Sequence, residues 1–230
     1  MSVLEENYKC AHAYIESVCQ KFGRDPHDVT MVAVSKTVDA DTVGEAIASG
    51  IRVFGENRAQ DFAIKQERYP EVSWHFIGRI QTNKLKQVVG KAELIHSVAS
   101  IHMLEAIEAQ ASKQGIIQDI LFEINTSGEV SKDGFNSSEL ENALVSAAAC
   151  AHVCVRGLMT MAPRGDVMRA HSTFGRLRAL REKFESVYAG TTNICLSELS
   201  MGMSEDYGIA LEEGATIVRL GRTIFGFPDK

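Results

Sequence analysis

The residue with the clearest chemical potential is Lys36, which directly follows the apolar run 30–35. This run has the length and the β-branched content of a buried strand, so Lys36 is expected at a strand end. Burial of a lysine there lowers the pKa of the ammonium group and leaves a free amine, which can form a Schiff base with an aldehyde. The alternative is a lysine whose ammonium group extends from the strand end into solvent.

Two glycine-containing segments near the end of the sequence have the composition of a phosphate site. They are 199–204, Leu-Ser-Met-Gly-Met-Ser, and 218–223, Val-Arg-Leu-Gly-Arg-Thr. Phosphates bind where backbone N–H groups, small residues and hydroxyls come together. We therefore predict that Ser200 and the turn formed by Gly221, Arg222 and Thr223 hold a phosphate. The other interpretation is two ordinary turns, the first leading into a helix capped by Ser204.

Arg219 is the second unusual residue, because it stands within the otherwise apolar run 216–221. One interpretation is an outward arginine paired with a helix carboxylate. The other is an inward arginine that faces the ring of a ligand. A guanidinium only donates hydrogen bonds, so it can bind a pyridine nitrogen without protonating it. His75, between two aromatic residues, is expected to be a hydrogen-bonded core histidine. Lys132 is predicted in the loop after the fifth strand, either solvated or in a lid. The roles of Lys132 and Lys84 stay open.

Composition and charge exclude several classes of function. The 24 basic and 30 acidic residues give a net charge of −6, so neither nucleic acid nor an anionic membrane is an expected partner. No apolar stretch has the length of a membrane span and no signal-peptide core is evident, which predicts a cytoplasmic protein. The five cysteines are an odd number in a chain expected to be cytoplasmic, which argues against a disulfide framework. The Cys150–Cys154 segment lacks a second ligand pair, so no metal site is predicted.

Strand-like and helix-like segments alternate along the chain. Strands are predicted near 30–35, 52–56, 74–78, 94–98, 119–125, 153–159, 194–199 and 216–220, with helical segments between them. Eight such units without a linker predict an α/β fold, a single (β/α)8 TIM barrel over 1–230, with an extra N-terminal helix over 1–22 packed on it. In such a barrel the chemistry lies at the C-terminal strand ends. Polar residues are found at seven of these ends, in chain order Lys36, Asn57, Arg79, Asn125, Thr160, Ser200 and Thr223.

Several segments resemble the motifs of one known family. They are 33–37, 54–57, 75–84, 129–134, 157–163, 199–204 and 218–226. On these segments the chain resembles the YggS/PROSC proteins, the pyridoxal phosphate homeostasis proteins, which bind pyridoxal 5'-phosphate (PLP). The resemblance implies an alanine-racemase-like barrel with PLP held as a Schiff base on Lys36. It also implies a set of further contacts: phosphate contacts from Ser200, Gly221, Arg222 and Thr223, Arg219 near the pyridine nitrogen, and Asn57 beside the cofactor.

The functional consequences of this resemblance leave three alternatives. The first is a carrier or buffer in intracellular PLP homeostasis, without robust catalytic activity, that supplies PLP to apo-PLP enzymes. The second is a PLP-dependent amino-acid racemase of low activity. Racemisation needs acid–base groups on both faces of the substrate, and the sequence shows no group opposed to Lys36. The third is a barrel for another phosphorylated metabolite, in which Lys36 contributes only charge. A barrel closes without a partner, so a monomer is expected.

Overall fold

A computed structural model describes residues 2–126 and 133–226 and shows a closed barrel of eight parallel strands. The strands are β1 Thr30–Val34, β2 Val53–Glu56, β3 Ser73–Phe76, β4 Leu94–Val98, β5 Gln118–Glu123, β6 Val153–Met159, β7 Ile194–Met203 and β8 Ile217–Leu220. Each strand pairs with the next in chain order, and β8 pairs with β1 to close the barrel. The predicted (β/α)8 TIM barrel is therefore confirmed. Lys132 and most of the segment 129–134 lie outside the described residues.

Helices connect the strands and surround the barrel. They are α1 Val3–Lys21, α2 Ala40–Ala48, α3 Ala59–Arg68, α4 Leu85–Val88, α5 Ile101–Gln114, α6 Leu140–Ala148, α7 Val167–Val187, α8 Tyr207–Glu212 and α9 Arg222–Phe225. The first helix begins at Ser2, whose hydroxyl accepts the N–H of Glu5, and it packs against α8 and α9. Its buried residues recur at helical spacing along one face, as expected for a helix packed on a core. Within the described residues, no helix is long and apolar enough to cross a membrane.

The core has two layers, one between strands and helices and one inside the barrel. The inner layer contains Val32, Leu94, Leu121, Met159 and Ile217. Side chains alternate along a strand, so residues two positions further on face the same interior, closer to the C-terminal end. This rule places Glu123 after Leu121 and Arg219 after Ile217, and both are buried. The barrel therefore has an apolar floor with charged groups above it.

The seventh strand differs from its prediction. β7 continues to Met203 instead of ending at 199, so Ser200 lies inside the strand. The following helix begins at Tyr207, and Asp206 accepts the N–H of Met203 at 2.6 Å. Gly202 has a φ of +90°, and a Cβ there would lie 2.5 Å from the Cβ of Ala210. Glycine is thus required where the strand meets α8.

Candidate functional site

The strand register sets the ends of β2 and β8 on either side of β1. β1 pairs with β2 through Val34 and Gly55, and with β8 through Ala33 and Leu220. Lys36, Asn57 and the turn 221–223 therefore follow the ends of three neighbouring strands. These residues come from nearly opposite ends of the chain, and their strands are neighbours because β8 closes the barrel against β1.

The Lys36 side chain is exposed, so the expectation of a buried amine is wrong. The reason is that β1 ends at Val34, two residues earlier, and the loop carries Lys36 out of the barrel wall. The side chain lines a cavity of about 390 Å3 between this loop and α3, which Asp39, Asp61 and Lys65 also line. Lys36 is thus an amine that a ligand entering from solvent can reach.

A buried ion pair lies directly behind Lys36. Lys65 Nζ is 2.5 Å from Glu56 Oε1 and donates to the carbonyl oxygen of Ser35 at 2.8 Å. The Ser35 hydroxyl donates to the same Glu56 oxygen at 2.7 Å, while Glu56 Oε2 has no hydrogen-bond partner among the described residues. These bonds fix the backbone at Ser35, the residue that precedes Lys36.

Arg219 lies inside the barrel, as the inward interpretation predicts. One guanidinium nitrogen, Nη1, donates to the hydroxyl of Ser200 at 2.5 Å, and Nη2 donates to the carbonyl oxygen of Thr160 at 3.0 Å. Burial lowers the pKa of Arg219 to about 10, against the opposing effect of the carboxylates of Glu123 and Asp206. The group therefore remains a cation at neutral pH. Its contact with a cofactor stays a prediction.

The structure does not bring Ser200 to the turn 221–223. Ser200 is fully buried, and its hydroxyl lies between Arg219 and His96, 2.8 Å from His96 Nδ1. The hydroxyl that does reach the turn belongs to Ser204, which accepts the N–H of Thr223 at 3.2 Å. The difference follows from the length of β7, because an extended strand keeps Ser200 three residues before its end at Met203.

The turn 221–223 leads directly into α9, and Gly221 stands before the first residue of that helix. A Cβ on Gly221 would meet only Val34, at 3.5 Å or more, which is ordinary van der Waals contact. Packing therefore does not require glycine here. Arg222 is exposed and pairs with Glu205 through its side chain. The hydroxyl of Thr223 makes no hydrogen bond to the described part of the chain, so it can serve a ligand.

Glu123 is a residue that the sequence reasoning missed. Its side chain lines a cavity of about 950 Å3 at the mouth of the barrel, which Asn57, Arg79, Lys84 and Ser97 also line. The residue is 7% exposed, and its carboxyl group makes no hydrogen bond or ion pair to another described residue. Burial raises the pKa of this carboxyl above its usual range. The alternation of side chains along β5 could have identified this residue, since Glu123 follows the inward-facing Leu121 by two residues and so faces the same side.

Two buried histidines continue the polar interior below Ser200. His96 Nε2 is 2.9 Å from His75 Nδ1, so His75 is the hydrogen-bonded core histidine that the sequence predicts. Burial lowers the pKa of His75 to about 4 and that of His96 well below its ordinary value. Both imidazoles are therefore neutral at neutral pH. The sequence analysis missed His96, because every residue of β4 is buried and none of its neighbours in sequence indicates a polar partner.

Comparison with known proteins agrees with this fold. Residues 15–229 match the family model described as alanine racemase, N-terminal domain, so the chain belongs to that family. An alanine racemase of Clostridium difficile shares the barrel, with a TM-score of 0.73 over 99% of this chain and 56% of its own, at 13% identity.

Full-length relatives identify the branch of this family. A pyridoxal phosphate homeostasis protein of Aquifex aeolicus is 39% identical over 92% of both chains. A protein of the same name from Pseudomonas aeruginosa is 36% identical over 100% of this chain and 97% of its own. The structure of PipY of Synechococcus elongatus with PLP bound has 31% identity and a TM-score of 0.79, over 93% of this chain and 100% of its own. The chain belongs with the pyridoxal phosphate homeostasis proteins, which confirms the resemblance stated from its motifs.

Proposed function

We propose that this protein binds PLP at the mouth of the barrel, as a Schiff base on Lys36, and acts as a carrier or buffer of the cofactor in the cytoplasm. The observation that carries the proposal is the strand order, in which the strand before the exposed Lys36 lies between the strands that precede Asn57 and the turn 221–223. The amine of Lys36 would condense with the aldehyde of PLP and release water. The sequence relatives named above, and the PLP in the PipY structure, support the same ligand.

The phosphate would lie against the turn 221–223. Gly221 would let the phosphate approach the backbone closely, and the hydroxyls of Ser204 and Thr223, joined through the Thr223 N–H, would supply further hydrogen bonds. Ser204 takes the place that the sequence prediction gave to Ser200, because the hydroxyl of Ser200 is engaged deeper in the barrel. The backbone of Arg222 lies in the same turn, while its side chain is directed to Glu205.

The pyridine nitrogen would face Arg219. A guanidinium with a pKa near 10 donates a hydrogen bond and keeps its proton. An unprotonated ring is a weaker electron sink than a pyridinium, which favours holding PLP over reactions at an amino-acid carbon. The proposed molecule is one barrel domain over 1–230 that works as a monomer and supplies PLP to apo-PLP enzymes.

An absorbance titration tests this function. PLP is added to the purified protein and to the variants Lys36→Ala and Lys84→Ala, since Lys84 is a second lysine at the mouth and serves as the matched control. We expect the Schiff-base band in the wild-type protein and in Lys84→Ala, and its absence in Lys36→Ala. A band of unchanged intensity in Lys36→Ala contradicts the proposal. Inorganic phosphate that competes with PLP, without any band, would favour the other phosphorylated metabolite.

The racemase remains a second candidate because of one observation, the Glu123 carboxyl at the mouth. This group could act as an acid or a base on a ligand bound at the mouth. Incubation of the PLP-loaded protein with common amino acids in heavy water measures exchange of the α-proton. We expect slow exchange and no turnover near the roughly 10 per second typical of enzymes. Fast turnover that Glu123→Gln abolishes and Asp133→Asn retains would establish the racemase instead.

A further inference from the structure

We propose that Ser200, His96 and His75 are positioning residues for Arg219, joined in a hydrogen-bond chain that runs in one direction across the barrel. Four strands contribute to it, with Arg219 on β8, Ser200 on β7, His96 on β4 and His75 on β3. This hydrogen-bond chain is present in the protein without any ligand. Its effect on a cofactor rests on the proposed function, in which Arg219 faces the pyridine ring.

The direction of the chain follows from the chemistry of its first member. A guanidinium has only donors, so the Ser200 oxygen accepts from Arg219 Nη1 at 2.5 Å. A hydroxyl has a single proton, and the next polar atom within reach is His96 Nδ1 at 2.8 Å. Among the described residues the hydroxyl has no other hydrogen-bond acceptor for that proton, so we assign it as a donor to Nδ1, which then carries no proton.

The same logic fixes both histidine tautomers. A neutral imidazole without a proton at Nδ1 carries it at Nε2, and His96 Nε2 lies 2.9 Å from His75 Nδ1. His96 thus donates and His75 Nδ1 accepts, which leaves the proton of His75 on its Nε2. Burial keeps both rings neutral, since it lowers the pKa of each below its ordinary value. The other tautomer of His75 alone would place two N–H donors against each other, and the other tautomer of His96 alone would place two acceptors against each other.

The hydrogen-bond chain holds the guanidinium of Arg219 in a single orientation. Ser200 on β7 receives Nη1, and the carbonyl oxygen of Thr160, directly after β6, receives Nη2 at 3.0 Å. The guanidinium is planar, so two nitrogens fixed on different strands prevent its rotation. Ser200 is itself held by His96, and His96 by His75. A change at the histidines should therefore reach a ligand at Arg219 without any direct contact between the two.

The first experiment determines the tautomers of His75 and His96 in the whole protein without PLP. Nitrogen-15 NMR of histidine-labelled protein at neutral pH separates protonated from unprotonated ring nitrogens, and the variants His75→Gln and His96→Gln assign the signals. We expect an unprotonated Nδ1 and a protonated Nε2 in both rings. A protonated Nδ1 in either ring contradicts the proposed direction of the hydrogen bonds, whether or not the protein binds PLP.

The second experiment compares two amides at one position. In His96→Asn the amide oxygen occupies the place of Nδ1 and can accept from Ser200, whereas the amide of His96→Gln reaches only toward His75. We expect His96→Asn to bind PLP within about twofold of wild type, and His96→Gln to bind about tenfold more weakly with a shifted absorbance maximum. Equal affinities and spectra for the two folded variants, checked by thermal unfolding, overturn the positioning role. A wild-type protein that binds no PLP refutes the proposed function. The NMR result then tests the hydrogen-bond chain by itself.

Discussion

Lys65 on α3 donates to the carbonyl oxygen of Ser35 at 2.8 Å, and so anchors the residue before Lys36. The same ammonium pairs with Glu56 at the end of β2, and both side chains are buried. The exposed Lys36 thus stands on a rigid base formed by a strand end and a helix. The relationship explains how a reactive side chain can be accessible while its backbone is fixed.

Replacement of Lys65 by Met should lower the free energy of unfolding by about 3–5 kcal/mol, because it leaves the Glu56 carboxylate buried without a partner. Urea denaturation measures this loss. Lys36→Met is the matched control, and its exposed side chain predicts a change within about 0.5 kcal/mol. The double variant Lys65→Met, Glu56→Gln should recover part of the loss. A Lys65→Met protein as stable as wild type would show that the pair contributes nothing.

The phosphate assignment predicts a difference between two serines. Ser204→Ala should weaken the binding of PLP about tenfold, the effect of one lost hydrogen bond to a charged group, and leave pyridoxal, which has no phosphate, unchanged. Ser200→Ala should weaken both ligands equally, because Ser200 acts through Arg219 at the ring. Calorimetric titration with the two ligands measures the four affinities. A loss in Ser200→Ala that is confined to PLP would restore Ser200 as the phosphate ligand.

Gly221→Ala supplies an independent check on the same pocket. The added methyl group meets nothing closer than 3.5 Å in the protein, so the melting temperature should stay within a few degrees of wild type. The methyl group would enter the space assigned to the phosphate, so affinity for PLP should fall. Unchanged affinity in this variant would place the phosphate elsewhere.

Acid should destabilise the fold through its buried histidines. The unfolded chain takes up protons near pH 6.5, whereas burial lowers the pKa of folded His75 to about 4. The unfolded state binds more protons across this window, so stability is complete above pH 6.5 and falls as the pH drops toward 4, by about 3 kcal/mol for His75. Urea denaturation at several pH values should show a shallower decline in His75→Leu than in His102→Leu, where the lost histidine is exposed. Equal slopes would mean that His75 is protonated in the fold.

Glu123 should affect the pH dependence of stability in the opposite direction from His75. Burial raises the pKa of this carboxyl, so the folded state disfavours the ionised form and is less stable above the usual range for glutamate. Glu123→Gln should therefore raise the free energy of unfolding by about 1 kcal/mol at pH 8, and the gain should vanish in acid, where both states are protonated. Asp133→Asn, at the exposed rim, should change little. A loss of stability in Glu123→Gln at pH 8 would show that Arg219 needs this charge.

The sequence was sufficient for the barrel because strand and helix periodicity alternate without a break. It also gave the inward Arg219 as one of two interpretations, since an arginine in an apolar strand must either face the barrel interior or pair with a carboxylate outside it. It could not separate Ser200 from Ser204, because that depends on where β7 ends, and the bend at Gly202 is fixed by contact with α8. The partners of His96 and the exposure of Lys36 depend in the same way on tertiary geometry.

The most direct measurement is the mapping of the PLP attachment point. The protein is loaded with PLP, reduced with borohydride to make the bond permanent, digested and analysed by mass spectrometry. The account predicts a single labelled peptide with the pyridoxyl group on Lys36, and no label at Lys65, whose ammonium is buried in its ion pair. A label on any other lysine as the main product, or none at all, would contradict the account.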